Sequence, residues 1–116
     1  MGLTKLLFIP SKVLDLNKVE IVNNADWFNK FSLSEMLKLA GKVTINQMLA
    51  KEAFGKRLDE GSPLFVHEIF YPLLQGFDSV EVKADIELGG TDQTFNLMVG
   101  RDLQKAYDLP QQHILT

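Results

Sequence analysis

Two stretches of the 116-residue chain gather side chains whose types and spacing could do chemistry. The first runs from His67 to Asp78. At about 100° per residue, His67, Tyr71, Gln75 and Asp78 fall at about −40°, 0°, 40° and −20° around a helix axis. They form one narrow polar stripe, while Ile69, Phe70, Leu73, Leu74 and Phe77 cover much of the remaining circumference. An amphipathic helix with its polar side in water gives the same pattern, but this stripe lacks the Lys and Arg usual on such a face. Hydroxyl, amide and carboxylate groups on one stripe can hold an ammonium group and a phenol-like hydroxyl.

The second stretch is Glu87-Leu88-Gly89-Gly90-Thr91-Asp92-Gln93. A strand entering a glycine pair, with a helix following at once, lets backbone N–H groups approach a ligand. The helix start adds free donors and partial positive charge. Asp92 is placed to hydrogen-bond ribose hydroxyls, as acidic residues do in nucleotide-binding α/β folds. The plainer alternative is a βα turn with Asp92 as its N-cap. Without the Lys and the spacing, the segment is not a phosphate-binding P-loop.

Other groups carry less. His67-Glu68 lacks the second His of a zinc-protease helix, so no metal site is expected. Lys38, Lys42, Lys51, Lys56 and Arg57 read as a solvated helix face, with phosphate contact as the alternative. Trp27 and Phe28 read as packing anchors.

The elements that must position these residues follow from turn and cap signals. Lys5–Pro10 is a strand or an irregular lead-in. Val19–Val22 reads as a short strand ended by the turn cluster Asn23-Asn24-Ala25-Asp26. Ser32 and Glu35 make a capping box that opens a helix closed at Gly41. Thr44 and Gln47 repeat the box, and their helix is expected to run to about Arg57. A further helix covers Phe65–Asp78 with Pro72 inside, where it should kink. Val80–Lys83 and Asp85–Leu88 are β-like. A helix to about Tyr107 follows Gln93, and His113–Thr116 starts another strand. Strands alternating with helices predict an α/β architecture with a parallel sheet, apparently truncated at both ends.

Composition sets the outer bounds. Hydrophobic residues make up 46% and charged residues 23% of the chain, which excludes a disordered tail. No apolar run approaches the roughly 18–20 residues of a membrane span. With no Cys there is no disulfide framework and no thiolate site. A reduced, cytoplasmic setting fits. The net charge of −3 excludes a strongly basic nucleic-acid module.

The two stretches, in this order and with eleven residues between Asp78 and Gly90, resemble bacterial tyrosyl-tRNA synthetases, which are class I aminoacyl-tRNA synthetases. Asn46-Gln-Met-Leu-Ala-Lys51 is similar to that family's Asn-x-Met-x-Ala-Lys segment. The resemblance spans about Val19 to Thr116. It implies a partial nucleotide-binding, Rossmann-like catalytic domain. Residues from about 44 to 69 would be a helical connecting insert, and those from about 70 to 116 the second half of the nucleotide-binding fold.

By the same resemblance, Tyr71 and Gln75 would hold the substrate's α-amino group with Asn46 nearby, and Asp78 would accept from the phenol. Gly90 and Asp92 would hold the adenosine ribose, with Gln93 at the reacting carboxylate. The full enzyme would use ATP with magnesium, tyrosine and tRNA as a homodimer away from membranes. The family's His-Ile-Gly-His-type and Lys-Met-Ser-Lys-Ser-type strings do not occur in these residues. The chain alone is therefore expected to activate no tyrosine and to bind no cofactor tightly. The tryptophanyl branch of the family is disfavoured by Asp78, a phenol acceptor rather than an indole partner. A non-enzymatic dimerisation module is the remaining alternative.

Overall fold

The computed structural model describes residues 12–116. Lys5–Pro10 lies outside them. After a 3-10 turn at Leu16–Lys18 come α1 (Ala25–Phe28), α2 (Leu33–Ala40), α3 (Ile45–Leu49) and α4 (Glu52–Asp59). Then follow α5 (Val66–Val82), β1 (Ile86–Leu88), a 3-10 turn at Thr91–Gln93, α6 (Thr94–Ala106) and β2 (His113–Leu115).

Both capping boxes form. Glu35 N–H donates to Ser32 Oγ at 3.2 Å while Ser32 N–H donates to Glu35 Oε2 at 2.7 Å. Gln47 N–H donates to Thr44 Oγ1 at 3.1 Å and Thr44 N–H to Gln47 Oε1 at 2.8 Å. Gly41 closes α2. The second box does not launch one helix to Arg57, however. The helix stops at Leu49, and Lys51 adopts an extended conformation (ψ 119°) before α4 begins. The break lets α4 turn Phe54 into a buried position and frees Lys51 to reach toward α6.

Two strand expectations fail. Val19–Val22 is irregular and exposed, and its backbone groups find no partner strand among the described residues. Val80–Val82 continues α5, since Ser79 and Val80 are buried against α6 and packing outweighs the β preference of valine. The parallel sheet itself is present. Among the described residues it has two strands, β1 and β2, paired Ile86–His113, Glu87–Ile114 and Leu88–Leu115, with α6 as the crossover.

The core joins Leu39, Met48, Leu73, Phe77, Val80, Val99 and Leu103. Its main seam is the crossing of α5 and α6. A Cβ on Gly76 would come within 2.9 Å of Val99 Cγ1 and 3.1 Å of Gly100 N. A Cβ on Gly100 would come within 2.7 Å of Ser79 Oγ. Behind the seam, Gln104 Nε2 donates to Ser79 O at 3.1 Å, and Gln112 N–H donates to Gln104 Oε1 at 2.9 Å. Ser79 Oγ and Gln112 Nε2 both donate to Glu87 Oε2. These bonds tie both helices to both strands.

Gly100→Ala therefore inserts a methyl group where hydrogen-bonded groups cannot yield. Overpacking costs about 1–3 kcal/mol, and a disturbed buried hydrogen bond adds about 1 kcal/mol. Better helix propensity returns about 1 kcal/mol. The net expectation is a loss of about 1–3 kcal/mol, measurable as a lower urea midpoint with an unchanged m-value.

Candidate active site

The polar stripe of α5 divides into a wet end and a half-buried end. His67 and Tyr71 lie at the wet end, with the Tyr71 side chain 67% exposed and its ring centroid 6.4 Å from that of His67. Gln75 and Asp78, one and two turns further on, are half-buried. Tyr71 borders a recess lined also by Lys51, Phe54, Arg57, Phe65 and Glu68. Arg57 closes one wall through Glu68, with Nη1 2.5 Å from Oε1 and Nη2 3.1 Å from Oε2. The backbone N–H of Phe65 also donates to Glu68, at 3.0 Å.

Gln75 faces the start of α6. Its Nε2 donates to Gln93 Oε1 at 3.3 Å, and its Oε1 accepts from Asn96 Nδ2 at 2.8 Å. Asn96 Nδ2 donates also to Gln93 Oε1 at 3.1 Å. Gln93 Nε2 donates to Asp92 Oδ2 at 3.0 Å. The structure thus brings Gln75, Asp92 and Gln93 into one hydrogen-bonded chain. Asp92 makes no cap bond: Gly90 is the cap position of the 3-10 turn and Gln93 that of α6. The N-cap alternative is therefore excluded, and the Asp92 carboxylate, holding Gln93 through Oδ2, keeps acceptor capacity for a further partner. A Cβ at Gly90 would sit 2.5 Å from Asp92 Oδ1 and push that carboxylate aside. The neighbouring Gly89 N–H is already engaged with Leu115 O, at 3.0 Å.

Asp78 stands apart from this chain of amides. Trp27 Nε1 donates to its Oδ1 at 3.0 Å, and Asn24 Nδ2 to its Oδ2 at 3.4 Å. Burial raises the Asp78 pKa, and the two hydrogen bonds partly oppose that rise. Trp27 is therefore more than a packing anchor, although it does lead an aromatic cluster. The Phe28, Phe31 and Phe77 rings follow, with centroids 4.9–5.9 Å apart. Asn46 lies exposed in the first turn of α3, and among the described residues no side-chain hydrogen bond joins it to the others.

Sequence reasoning missed Asn96 and, as an Asp78 partner, Trp27, and it placed Lys51 on a solvated or phosphate-contacting face rather than against Asn96. Lys51 Nζ donates to Asn96 Oδ1 at 3.3 Å and stands 4.9 Å from the Phe54 ring centroid. Lys42 likewise sits 4.4 Å from the Tyr107 ring, and Arg57 is paired with Glu68. The basic run is thus not a uniformly solvated face. Only the backbone break at Lys51 could have signalled its turn inward, and no residue type there announces it.

The arrangement places a donor–acceptor cluster and, one turn further along the stripe, a carboxylate at the half-buried end of α5. Residues 6–116 match the family model of tRNA synthetases class I (W and Y), and the chain belongs to that family. Within it, the chain is 53% identical over 107 residues to the tyrosine–tRNA ligase of Symbiobacterium thermophilum, covering 91% of this chain and 26% of that protein. It is 53% identical over 113 residues to the tyrosine–tRNA ligase of Francisella tularensis, covering 97% and 28%. A crystal structure of a truncated mitochondrial tyrosyl-tRNA synthetase from Coccidioides posadasii superposes with a TM-score of 0.63 at 30% identity. That match covers 74% of this chain and 26% of the other. The chain therefore spans about a quarter of the length of these relatives. No helix among the described residues is long and apolar enough to cross a membrane.

The Arg57–Glu68 pair gives the recess wall a defined pH response. Hydrogen bonds from Arg57, and then from Phe65 N–H, lower the Glu68 pKa from 4.5 to about 2. A depressed carboxylate pKa stabilises the fold above the ordinary range and loses that effect as pH falls through the folded value. Glu68→Gln should thus lower the urea midpoint at neutral pH, and the wild-type and variant midpoints should converge as the pH approaches 2.

Proposed function

We propose that this chain is the tyrosine- and ribose-binding portion of a tyrosine–tRNA ligase catalytic domain. The observation that carries the reading is the joining of Gln75, Gln93 and Asp92 into one hydrogen-bonded chain, with Asp78 further along the same helix stripe. The ligase relatives supply the substrate class. Tyr71 and Asp78 stand seven residues, roughly 10 Å, apart along α5, a spacing on the scale of an extended tyrosine.

In this reading, Tyr71 and Gln75 receive the ammonium group of tyrosine, with Asn46 beside them. Asp78 accepts from the phenol, Asp92 and Gly90 hold the ribose of ATP, and Gln93 steadies the reacting carboxylate. A tyrosine carboxylate oxygen attacks the α-phosphorus of ATP. The new P–O bond forms tyrosyl-adenylate as pyrophosphate leaves, and the tyrosyl group then passes to the tRNA 3′ end. ATP is a substrate, accompanied by magnesium. These residues act chiefly by positioning and by fixed dipoles. The cytoplasm, where translation occurs, is the proposed setting. The tryptophanyl alternative loses ground to the ligase relatives, which are named for tyrosine.

Asp78 supplies specificity because a carboxylate left without its hydroxyl partner keeps an unmet acceptor. In the full-length protein, Asp78→Ala should reduce tyrosine use about 10–200-fold, as expected for roughly 1.5–3 kcal/mol of lost charged hydrogen bonding, with ATP affinity little changed. Steady-state kinetics with tyrosine and phenylalanine decide it. Wild-type discrimination in the variant would remove Asp78 from the site.

The insert from Thr44 to Ile69 is proposed as a two-fold dimer contact. Val66 is 71% exposed and Phe65 57%, beside an apolar recess formed by Ile45, Met48, Ile69 and Phe70. Two-fold pairing is the commonest way for such a surface to close on itself. Val66→Asp should shift the sedimentation coefficient of the full-length protein from dimer to monomer.

A further inference from the structure

Glutamine is a symmetric-looking side chain with opposite chemistry at its two ends. A site that binds a zwitterion through two glutamines works only if each amide is turned the right way. We infer that Asn96, oriented by Lys51, is the positioning residue that fixes the amide polarity of both Gln75 and Gln93. The inference rests on the tyrosine-site reading above and adds two residues to it.

The reasoning is a count of donors and acceptors. A lysine ammonium has three donors and no acceptor. The Asn96 atom that meets Lys51 Nζ at 3.3 Å must therefore be the carbonyl oxygen. Nδ2 then faces the other way, and both of its hydrogens are used, on Gln75 Oε1 at 2.8 Å and Gln93 Oε1 at 3.1 Å. Both glutamines are thereby obliged to point their oxygens toward Asn96. Asn96 is only 8% exposed, so water is a poor substitute for either partner.

The consequences for the two glutamines differ. Gln93 Oε1 accepts from Asn96 and from Gln75 Nε2, so both of its lone pairs are taken. Its Nε2 gives one hydrogen to Asp92 and has one left. Toward a ligand Gln93 is thus a donor only, suited to a carboxylate oxygen. Gln75 Oε1 has accepted one bond and keeps one lone pair, suited to an ammonium group, while its Nε2 has given one of its two hydrogens to Gln93. One donor and one acceptor, set side by side by a single asparagine, match the head of an amino acid.

The partially exposed Lys51 is the donor-only end of the chain. Nothing else in the cluster is restricted to donating: the three amides can each turn over, and Asp92 accepts at the far end. A cation at one end and a carboxylate at the other read the chain in one direction, Lys51 to Asn96 to the glutamines to Asp92.

The test reverses that direction in the full-length protein, using tyrosine-dependent ATP–pyrophosphate exchange without tRNA. Asn96→Asp is isosteric and keeps a partner for Lys51, but it can only accept, so both glutamines must turn their Nε2 groups inward. Lys51→Glu accepts where lysine donates, so it draws Asn96 Nδ2 and produces the same reversal from a half-exposed position. Each variant should raise the KM for tyrosine and lower kcat, together about 10–100-fold in kcat/KM for tyrosine. Lys51→Arg, a donor-only side chain, should recover most of what Lys51→Glu loses. If Asn96→Asp does not fold, Lys51→Glu and its rescue by arginine carry the test. Wild-type tyrosine kinetics in Lys51→Glu would overturn the inference, as would an equal loss in Lys51→Arg. A wild-type protein that shows no tyrosine-dependent exchange would instead overturn the ligase reading itself.

Discussion

Helices α5 and α6 meet where Gly76 lies against Gly100, and that contact fixes the distance on which the site depends. An added methyl group at either position would enter the space of Val99, Ser79 or the facing backbone. Gln75 immediately precedes Gly76, and Asn96 stands one turn before Gly100. Amide hydrogen bonds tolerate only a few tenths of an ångström before they weaken. The 2.8 Å bond from Asn96 to Gln75 is therefore a consequence of two absent side chains as much as of the amides themselves.

Polar networks lie on both flanks of this crossing and serve opposite ends. On one side Ser79, Gln104, Gln112 and Glu87 bond to one another and to backbone, with Gln104 and Gln112 almost wholly buried. That set fixes the strands against the helices. On the other side Lys51, Asn96, Gln75, Gln93 and Asp92 form a chain that reaches solvent with lone pairs and N–H groups to spare. Low dielectric makes unmet groups costly, so a fully satisfied network rigidifies while a partly open one invites a ligand. Among the described residues, no buried side-chain polar atom lacks a partner.

Local chemistry was legible in the sequence wherever it was self-contained. The boxes at Ser32–Glu35 and Thr44–Gln47 satisfy their own donors, so four residues suffice to read each one. The glycine pair before Asp92 and the strand after Pro110 were readable for similar reasons. What escaped depends on distant partners. Val19–Val22 has strand-like residues and, among the described residues, no neighbouring strand. Val80 looks extended by type yet is held in a helix by burial against α6. Lys51 resembles any surface lysine until the chain breaks before α4 and turns it toward Asn96, forty-five residues away. Among the site residues, Tyr71, Gln75 and Asp78 shared a periodic stripe and could be found together, whereas Asn96 lay on another helix with nothing local to mark it.

The bond from Trp27 to Asp78 also makes the molecule its own optical instrument. The chain has one tryptophan, and its indole N–H donates to the carboxylate at 3.0 Å. Indole emission responds to the charge and hydrogen bonding at that nitrogen. Any ligand hydroxyl that shares the carboxylate must alter the partner of this one fluorophore. Occupancy at the buried end of the α5 stripe is therefore written into the intrinsic fluorescence, with no label attached and no second tryptophan in these residues to dilute the signal.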